Sequence, residues 1–316
     1  MKFVKKNFTR NLILVTGTLT SGKSMVAPVV ASLSKVEILR KIYYLDQLSI
    51  LYHFKKINSE VARFLGQHIL DLSYYEQLIG RNLNFRKGDE TGVYLSKNPE
   101  FFKKRLNIKR GEGILEFHEK IDTHMLMDAH DAIWFLKFWE NLKIKNLKII
   151  NIHRNPIHIV NSWMNVDQGI AEEKVLCQIP LILKNNKKKP FYFYKNFKKK
   201  NINNKTDIII DMVDECIRNE INHYKKIKNK KKIFRISFDD FATDTDFHLK
   251  KICEFLQLDL TKHTSRIMKR EKLPRLINDL EKDEKLKRIE NEVDKKKFEK
   301  LKKLEKFYIK NSNSLW

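Results

Sequence analysis

The chain has 316 residues, of which 42% are hydrophobic and 33% charged, a balance that excludes a disordered protein and favours a soluble globular one. No apolar run approaches the roughly 20 residues that cross a bilayer, and the stretch 11–17 is too short for a signal peptide, so we expect a cytoplasmic protein. Three cysteines without a close pair imply neither a disulfide framework nor a thiolate metal site. The formal charge of +25 favours anionic ligands.

The amino-terminal elements follow the order strand, loop, helix. Residues 11–16 contain Leu-Ile-Leu-Val, which is typical of a parallel strand buried on both faces, and residues 24–39 have apolar residues at helical spacing. Between them, the sequence GTLTSGKS matches the phosphate-binding pattern G-x-x-x-x-G-K-[ST]. Backbone N–H groups, the helix dipole and a lysine ammonium would bind an anion there. The residues predicted to bind it are Gly17, Thr18, Leu19, Thr20, Ser21, Gly22, Lys23, Ser24 and Met25.

Further strands and helices alternate along the chain. The predicted elements are a mostly helical region over 43–83, a short strand over 111–117, a helix over 131–142, a strand over 148–152, a helix from 156, a strand over 232–237 and a helix over 246–256. This alternation predicts an α/β fold with a central, mainly parallel sheet flanked by helices, of the P-loop nucleotide-binding type. We expect one domain over 1–275 and a charged helical segment over 276–316 that packs on it or extends from it.

A second candidate anion site follows the strand over 148–152. Arg154 stands at the carboxyl end of this strand, where open α/β sheets bind ligands, and Pro156 can begin the next helix. Ser162 lies eight residues after Arg154, about two helical turns on. A guanidinium and a hydroxyl suit a phosphate monoester, because charge-assisted hydrogen bonds contribute about 1.5 to 3 kcal/mol each.

Three parts of the sequence resemble the sulfotransferase family. Arg154-Asn155-Pro156 with Ser162 and Trp163 resembles the 3′-phosphate-binding motif of that family, and residues 20–24 are similar to its phosphosulfate-binding loop. Residues 235–241 and the apolar helix that follows resemble its strand, acidic turn and helix ending in Phe-Leu. The three matches occur in family order, from about residue 12 to residue 258.

The resemblance implies a sulfotransferase that transfers a sulfuryl group from 3′-phosphoadenylyl sulfate to a hydroxyl or amine. Adenosine 3′,5′-bisphosphate would be the product, and the family requires no metal. The acceptor is unidentified; a saccharide or a small metabolite fits, and the positive charge favours an anionic one. The sequence leaves the oligomeric state open.

The loop departs from the family pattern, because Thr20 stands where the family usually has Lys or Arg, and Lys23 where it has Thr or Ser. We expect Lys23 to replace the usual basic residue and to neutralise the leaving group. The family's basic carboxy-terminal cofactor motif is not evident, and its loose candidates are Lys269, Arg270 and Lys272.

The resemblance also suggests a catalytic base. Residues 121–124, Ile-Asp-Thr-His, look like the family's strand-end segment in which Thr precedes the catalytic His, although Asp122 stands where Lys is common. His124 is therefore the predicted base, and an imidazole suits proton transfer near neutral pH. Glu116 and His118 remain open as alternatives.

Two other functions compete with this interpretation. Lys23 and Ser24 also suit an ATP-dependent P-loop kinase, and residues 207–211 imitate a strand that ends in a metal-binding Asp. Helical spacing that continues to Ile221 favours a helix there instead. A basic nucleic-acid-binding module rests on net charge alone, since no helix-turn-helix, ribonucleoprotein motif or metal finger is evident, so we expect no nucleic-acid partner.

Overall fold

A sheet of five parallel strands organises the fold. A computed structural model describes residues 7–95, 98–107, 122–165, 181–184, 187–193, 204–277 and 279–312. The strands are β1 (Asn11–Gly17), β2 (Val36–Lys41), β3 (His124–His130), β4 (Asn146–His153), β5 (Leu181–Lys184), β6 (Lys187–Pro190) and β7 (Ile233–Ser237). The parallel sheet has the order β2-β3-β1-β4-β7, and β5 and β6 form a separate antiparallel pair.

Helices follow the strands and cover both faces of the sheet. They are α1 (Lys23–Ala31), α2 (Tyr43–His53), α3 (Ser59–Leu78), α4 (Pro99–Leu106), α5 (Leu136–Asn141), α6 (Pro156–Asn165), α7 (Lys205–Lys226), α8 (Phe238–Thr243), α9 (Thr245–Leu256), α10 (Thr264–Arg270), α11 (Asp279–Glu290) and α12 (Lys295–Ser312). Short 3-10 turns lie at Val93–Leu95 and Phe191–Phe193. The predicted α/β fold with a mainly parallel sheet flanked by helices is confirmed.

The central strand β1 is buried on both faces, as its apolar run predicts. Leu12 and Leu14 pack in the core under α2, α3 and α5, whereas Ile13 and Val15 pack under α1 and α9. All four side chains are fully buried. Successive side chains of a strand point to opposite faces, so a continuous apolar run fills two cores at once.

The register of the parallel strands brings their carboxyl ends to one edge of the sheet. Gly17 at the end of β1 pairs with His130 at the end of β3, and His153 at the end of β4 pairs with Ser237 at the end of β7. This edge carries the loop that follows β1. Open α/β sheets bind ligands at this edge.

Some predicted elements differ from the structure. The helix expected over 24–39 ends at Ala31, and its second half forms β2, because the apolar residues around Ile38 pair with β3 instead of continuing the helix. The strand β3 itself is not among the predicted elements, and the strand expected over 111–117 lies outside the described residues. Of the helix expected over 131–142, the part from 136 to 141 is helical.

The carboxy-terminal helices pack against α6 and α7. Lys300 on α12 lies 2.7 Å from Asp211 Oδ1 and 3.0 Å from Asp214 Oδ2, both on α7. The hydroxyl of Tyr308 on α12 lies 2.8 Å from Nδ1 of the buried His153. The boundary at residue 275 stays a prediction. In the described part of the chain, every helix is too short or too polar to span a membrane.

A buried ion pair holds α4 against the edge strand β2. Arg105 donates from both terminal nitrogens, each 2.9 Å from one carboxylate oxygen of Glu37, and the two side chains are 4% and 1% exposed. Removing one partner would leave the other charge buried. Such a loss costs about 3–5 kcal/mol.

We therefore expect Arg105→Met to lower the free energy of unfolding by about 3–5 kcal/mol, measured by denaturant titration. Lys103→Met is the matched control, because Lys103 pairs with Glu100 on the surface of the same helix, where both side chains are largely exposed. That change should cost less than about 1 kcal/mol. Equal losses in the two variants would contradict a special role for the buried pair.

Candidate active site

The loop between β1 and α1 has the backbone conformation that a phosphate loop requires. Gly17, Thr20 and Gly22 have positive φ angles of 148°, 64° and 102°. A Cβ on Gly17 would lie 2.0 Å from the carbonyl oxygen of Ile152, and a Cβ on Gly22 would lie 2.1 Å from the Phe238 ring. Both positions therefore need glycine, because the neighbouring strands and helices come too close for a side chain.

Lys23 begins α1 and is 5% exposed. Its Nζ lies 3.8 Å from Asp128 Oδ1 on β3, and Asp128 Oδ2 lies 3.7 Å from Nζ of Lys41 at the end of β2. The Lys23 ammonium also affects the pKa of Asp131, which lies just after β3. Burial raises the pKa of Asp131 to about 7, and the positive charge of Lys23 opposes that rise. The predicted cation thus lies buried at the sheet edge, close to the end of β3.

The remaining loop residues differ in exposure. Ser24 is exposed, Met25 is half-buried against the core, and the hydroxyl oxygens of Thr20 and Ser21 are buried without a hydrogen-bond partner among the described residues. The Thr18 hydroxyl donates to Asp131 Oδ1 at 3.2 Å. A bound oxyanion could accept hydrogen bonds from these unpaired buried hydroxyls and from the backbone N–H groups of the loop.

Arg154 follows β4 and reaches the same edge. Its guanidinium carbon lies 4.6 Å from the ring centroid of Phe238, and its Nε lies 3.6 Å from Asp239 Oδ1. Since the Phe238 ring also packs beneath Gly22, a single side chain contacts both the loop and the guanidinium. Thr18, Ser21 and Arg154 line one cavity. The structure therefore brings Arg154 to the phosphate loop.

More cations surround Arg154. The guanidinium of Arg275 lies 5.3 Å from the same Phe238 ring centroid, and Lys285 Nζ lies 3.2 Å from Nδ1 of His158. Burial, together with the charges of Arg154 and Lys285, lowers the pKa of His158 to about 4. Sequence reasoning missed Arg275, because the candidates that it considered were Lys269, Arg270 and Lys272 on and just after α10.

Helix α6 contacts the loop as well. The indole N–H of Trp163 donates to the carbonyl oxygen of Leu19 at 3.0 Å, which links the strand-turn-helix after β4 to the loop after β1. The neighbouring Ser162 is half-buried. It is not among the residues that line the cavity beside Arg154, so its predicted role in phosphate binding stays a prediction.

The structure places His124, the predicted base, at the end of β3 that is remote from the loop, and its catalytic role stays a prediction. His124 begins β3, and its backbone N–H donates to Lys35 at the opposite edge of the sheet. His130 lies six residues further along the strand, at a distance of about 20 Å. The alternatives Glu116 and His118 lie outside the described residues.

His130, at the other end of β3, lies beside the loop. Its Nδ1 is 2.9 Å from Asp46 Oδ2 on α2, and burial lowers its pKa to about 3. It lines a recess whose other lining residues are Leu19, Asp46, Ile50, Asp131, Phe135, Phe191 and Tyr192. The sequence signal was the apolar run Met-Leu-Met over 125–127, which ends in Asp-Ala-His and has the form of a buried strand with polar residues at its end.

The kinase alternative requires residues 207–211 to form a strand that ends in a metal-binding Asp, and they form no such strand. These residues lie within α7, as their helical spacing favours, and Lys297 and Lys300 lie 2.8 and 2.7 Å from the carboxylate oxygens of Asp211. Within the described ranges, no group of three or more His, Cys, Asp or Glu side chains could hold a metal ion.

Comparison with known families identifies the chain. The family model described as "Sulfotransferase domain" matches residues 56–312, which is most of the sequence. The chain belongs to the sulfotransferase family. The match begins after the phosphate loop. In that loop the basic residue of this sulfotransferase is Lys23, and residue 20 is Thr. A search of curated proteins gives no match.

Several solved structures are similar to this sulfotransferase at low identity. The sulfotransferase domain from the curacin biosynthetic pathway is 11% identical with a TM-score of 0.45, and covers 82% of this chain and 77% of its own. The corresponding domain of the Synechococcus PCC 7002 olefin synthase is 12% identical with a TM-score of 0.45, covering 84% and 78%. The mouse sulfotransferase SULT7A1 complexed with PAP is 13% identical with a TM-score of 0.37, covering 84% and 65%.

The contact between Gly22 and Phe238 yields a prediction about anion binding. In Gly22→Ala the new Cβ would overlap the ring and displace it, so we expect the affinity for inorganic pyrophosphate, measured by calorimetry, to fall about tenfold or more. Gly88→Ala is the control, because Gly88 also has a positive φ, of 89°, but nothing lies within 4 Å of its added Cβ. That variant should bind pyrophosphate unchanged. Equal weakening in both would rule out the contact as the cause.

Proposed function

We propose that this sulfotransferase transfers the sulfuryl group of 3′-phosphoadenylyl sulfate to an acceptor hydroxyl or amine. The observation that carries the proposal is the shared Phe238 contact, which joins a phosphate loop to a second cationic site within one cavity. A donor with a phosphosulfate at one end of its ribose and a 3′-phosphate at the other needs two such sites. A nucleoside triphosphate has no 3′-phosphate for Arg154.

The loop and Lys23 would bind the phosphosulfate. Backbone N–H groups at the start of α1 and the helix dipole favour the negative oxygens, and the Lys23 ammonium adds positive charge close to the leaving phosphate. Arg154 would bind the 3′-phosphate, with Arg275 as a second cation over the same ring and Ser162 as a hydroxyl donor. The product that leaves is adenosine 3′,5′-bisphosphate.

His130 replaces His124 as our proposed base. Its imidazole lines the recess beside the loop, and burial together with Lys23 lowers its pKa, so the ring is neutral at physiological pH. Nε2 would take the proton of the acceptor hydroxyl while the acceptor oxygen bonds to sulfur. The bond between sulfur and the bridging phosphate oxygen breaks, and its electron pair stays with the phosphate.

The lining of the recess also indicates which kind of acceptor group could react there. Most of its lining is apolar, and its charged lining residues, Asp46 and Asp131, are carboxyls. We propose that the reacting end of the acceptor is a neutral hydroxyl or amine. An anionic part of a saccharide or metabolite, which the net charge favours, would lie outside this recess.

Nucleotide binding separates a sulfotransferase from a kinase. We expect metal-independent binding of adenosine 3′,5′-bisphosphate, and an affinity about 10- to 100-fold lower in Arg154→Ala, the cost of about 1.5–3 kcal/mol for lost charge-assisted bonds. Adenosine 5′-monophosphate, which lacks the 3′-phosphate, should bind both proteins alike. Calorimetric titration measures each affinity.

Arg218→Ala is a matched control, because Arg218 also lies 4.6 Å from an aromatic centroid and beside an Asp, but on α7. It should leave nucleotide affinity unchanged. Tighter binding of ATP with magnesium than of adenosine 3′,5′-bisphosphate would instead favour the kinase alternative.

The two histidines of β3 give a second prediction. His130→Ala should lower kcat for sulfuryl transfer by roughly 100- to 10,000-fold, the usual contribution of a general base, and should leave the affinity for adenosine 3′,5′-bisphosphate nearly unchanged. His124→Ala, at the far end of the same strand, should keep kcat within about twofold. Turnover with radiolabelled donor and a pool of candidate acceptors measures this, and a fall in His124→Ala alone would restore the original assignment.

A further inference from the structure

Both oxygens of one carboxylate contact His130. Asp46 Oδ2 lies 2.9 Å from Nδ1 of the imidazole, and Asp46 Oδ1 accepts the backbone N–H of the same residue at 3.2 Å. The imidazole also stacks on Tyr43, with ring centroids 6.4 Å apart and planes 25° from parallel. The ring therefore has little freedom to turn, and Nε2 has no hydrogen-bond partner in the part of the chain that the structure describes.

The backbone contact favours one protonation pattern. An N–H can only donate, so Asp46 Oδ1 must be an acceptor. When the carboxylate is ionised, Oδ2 is an acceptor too, and Nδ1 then carries the proton that it donates. A neutral imidazole with its proton on Nδ1 has a free electron pair on Nε2, the state that a general base requires.

Charges around Asp46 set the pH range of this state. Burial raises the pKa of Asp46 to about 7, while the His130 backbone N–H and the Lys23 ammonium oppose the rise. The other titratable groups that face the pair lie on α2, on β2, on β3 and just after it, and in the 3-10 turn after β6. They are Tyr43, Lys41, Asp128, Asp131 and Tyr192. The cation of α1 thus favours the ionised carboxylate, and burial disfavours it.

We propose that Asp46 is a positioning residue that holds the proton of His130 on Nδ1 and leaves Nε2 free toward the recess. This inference rests on the proposed function, in which His130 is the base. Asp46 itself does not contact the reacting atoms. It acts through the imidazole, and it stabilises the positive charge that forms on the ring when the acceptor proton arrives.

The proposal predicts the direction in which kcat changes with pH. Above the Asp46 pKa of about 7 the carboxylate accepts from Nδ1, and Nε2 is free. Below it, a protonated Asp46 donates to Nδ1 and the ring proton moves to Nε2, so kcat falls as pH falls, while the imidazole itself stays neutral down to about 3. Asp131, whose pKa is also about 7, faces the same recess, so Asp131→Asn should retain this rising limb if Asp46 causes it.

The direct test is nitrogen NMR of protein with labelled histidine at about pH 8, with the His130 signal assigned by its loss in His130→Gln. We expect the wild-type ring proton on Nδ1. In Asp46→Asn the side-chain oxygen can still accept the backbone N–H, but the amide can only donate to Nδ1, so the proton should move to Nε2. This measurement needs neither donor nor acceptor.

The kinetic arm should show kcat roughly 100- to 10,000-fold lower in Asp46→Asn, with unchanged affinity for adenosine 3′,5′-bisphosphate. Asp71→Asn is the control, because Asp71 is also a buried carboxyl that accepts backbone N–H groups, from Phe8 and Thr9, far from the loop. It should change stability but neither kcat nor the His130 tautomer.

A wild-type proton on Nε2, or an Asp46→Asn variant with the proton on Nδ1 or with unchanged kcat, overturns the proposal. The wild-type spectrum decides even if the variant fails to fold. Failure of the proposed function would show separately, as absent binding of adenosine 3′,5′-bisphosphate with the predicted tautomer intact.

Discussion

The packing of the Phe238 ring under Gly22 is the contact on which the rest of the site depends. It requires that residue 22 has no side chain, and it places an aromatic face where the guanidinium of Arg154 can lie on it. A cation over a ring gains about 0.5–2 kcal/mol and keeps its N–H groups available at its edge. The same contact therefore shapes the loop and orients the second cation.

The position of the loop lysine also has a structural reason. A lysine at residue 20 would occupy a left-handed backbone position on the half-buried loop, whereas Lys23 begins the helix and points toward the end of β3. There it meets Asp128, which Lys41 also approaches from β2. Because Asp128 already attracts the ammonium, Lys23 does not act on an anion with its full charge. The backbone N–H groups and the dipole of α1 must supply much of the binding.

The parts that sequence predicted best are those encoded by local pattern. The strand before Gly17, the loop and the strand before Arg154 each combine an apolar run with a turn signal, and the structure has all three. The features that local pattern did not predict depend on which strands pair and in which register. Residues 36–39 fit a helix or a strand equally until β3 is available to pair with them, and a strand-end histidine could be His124 or His130 until the register with Gly17 is known. Arg275 is remote in sequence, so its approach to Phe238 is visible only in three dimensions.

The charges of the site are separated by function, although the net charge of the chain is strongly positive. Arg154 and Arg275 lie at the end where a nucleotide phosphate would bind, whereas Asp46 and Asp131 lie with His130 in the recess. In the proposed transfer, negative charge develops on the leaving phosphate and positive charge on the base. Lys23 would face the leaving phosphate, and the carboxylate of Asp46 contacts the imidazole. Lys23 and Lys41 oppose protonation of His130, and the Asp128 carboxylate favours it. The carboxyls beside His130 therefore matter as much as the cations beside Phe238.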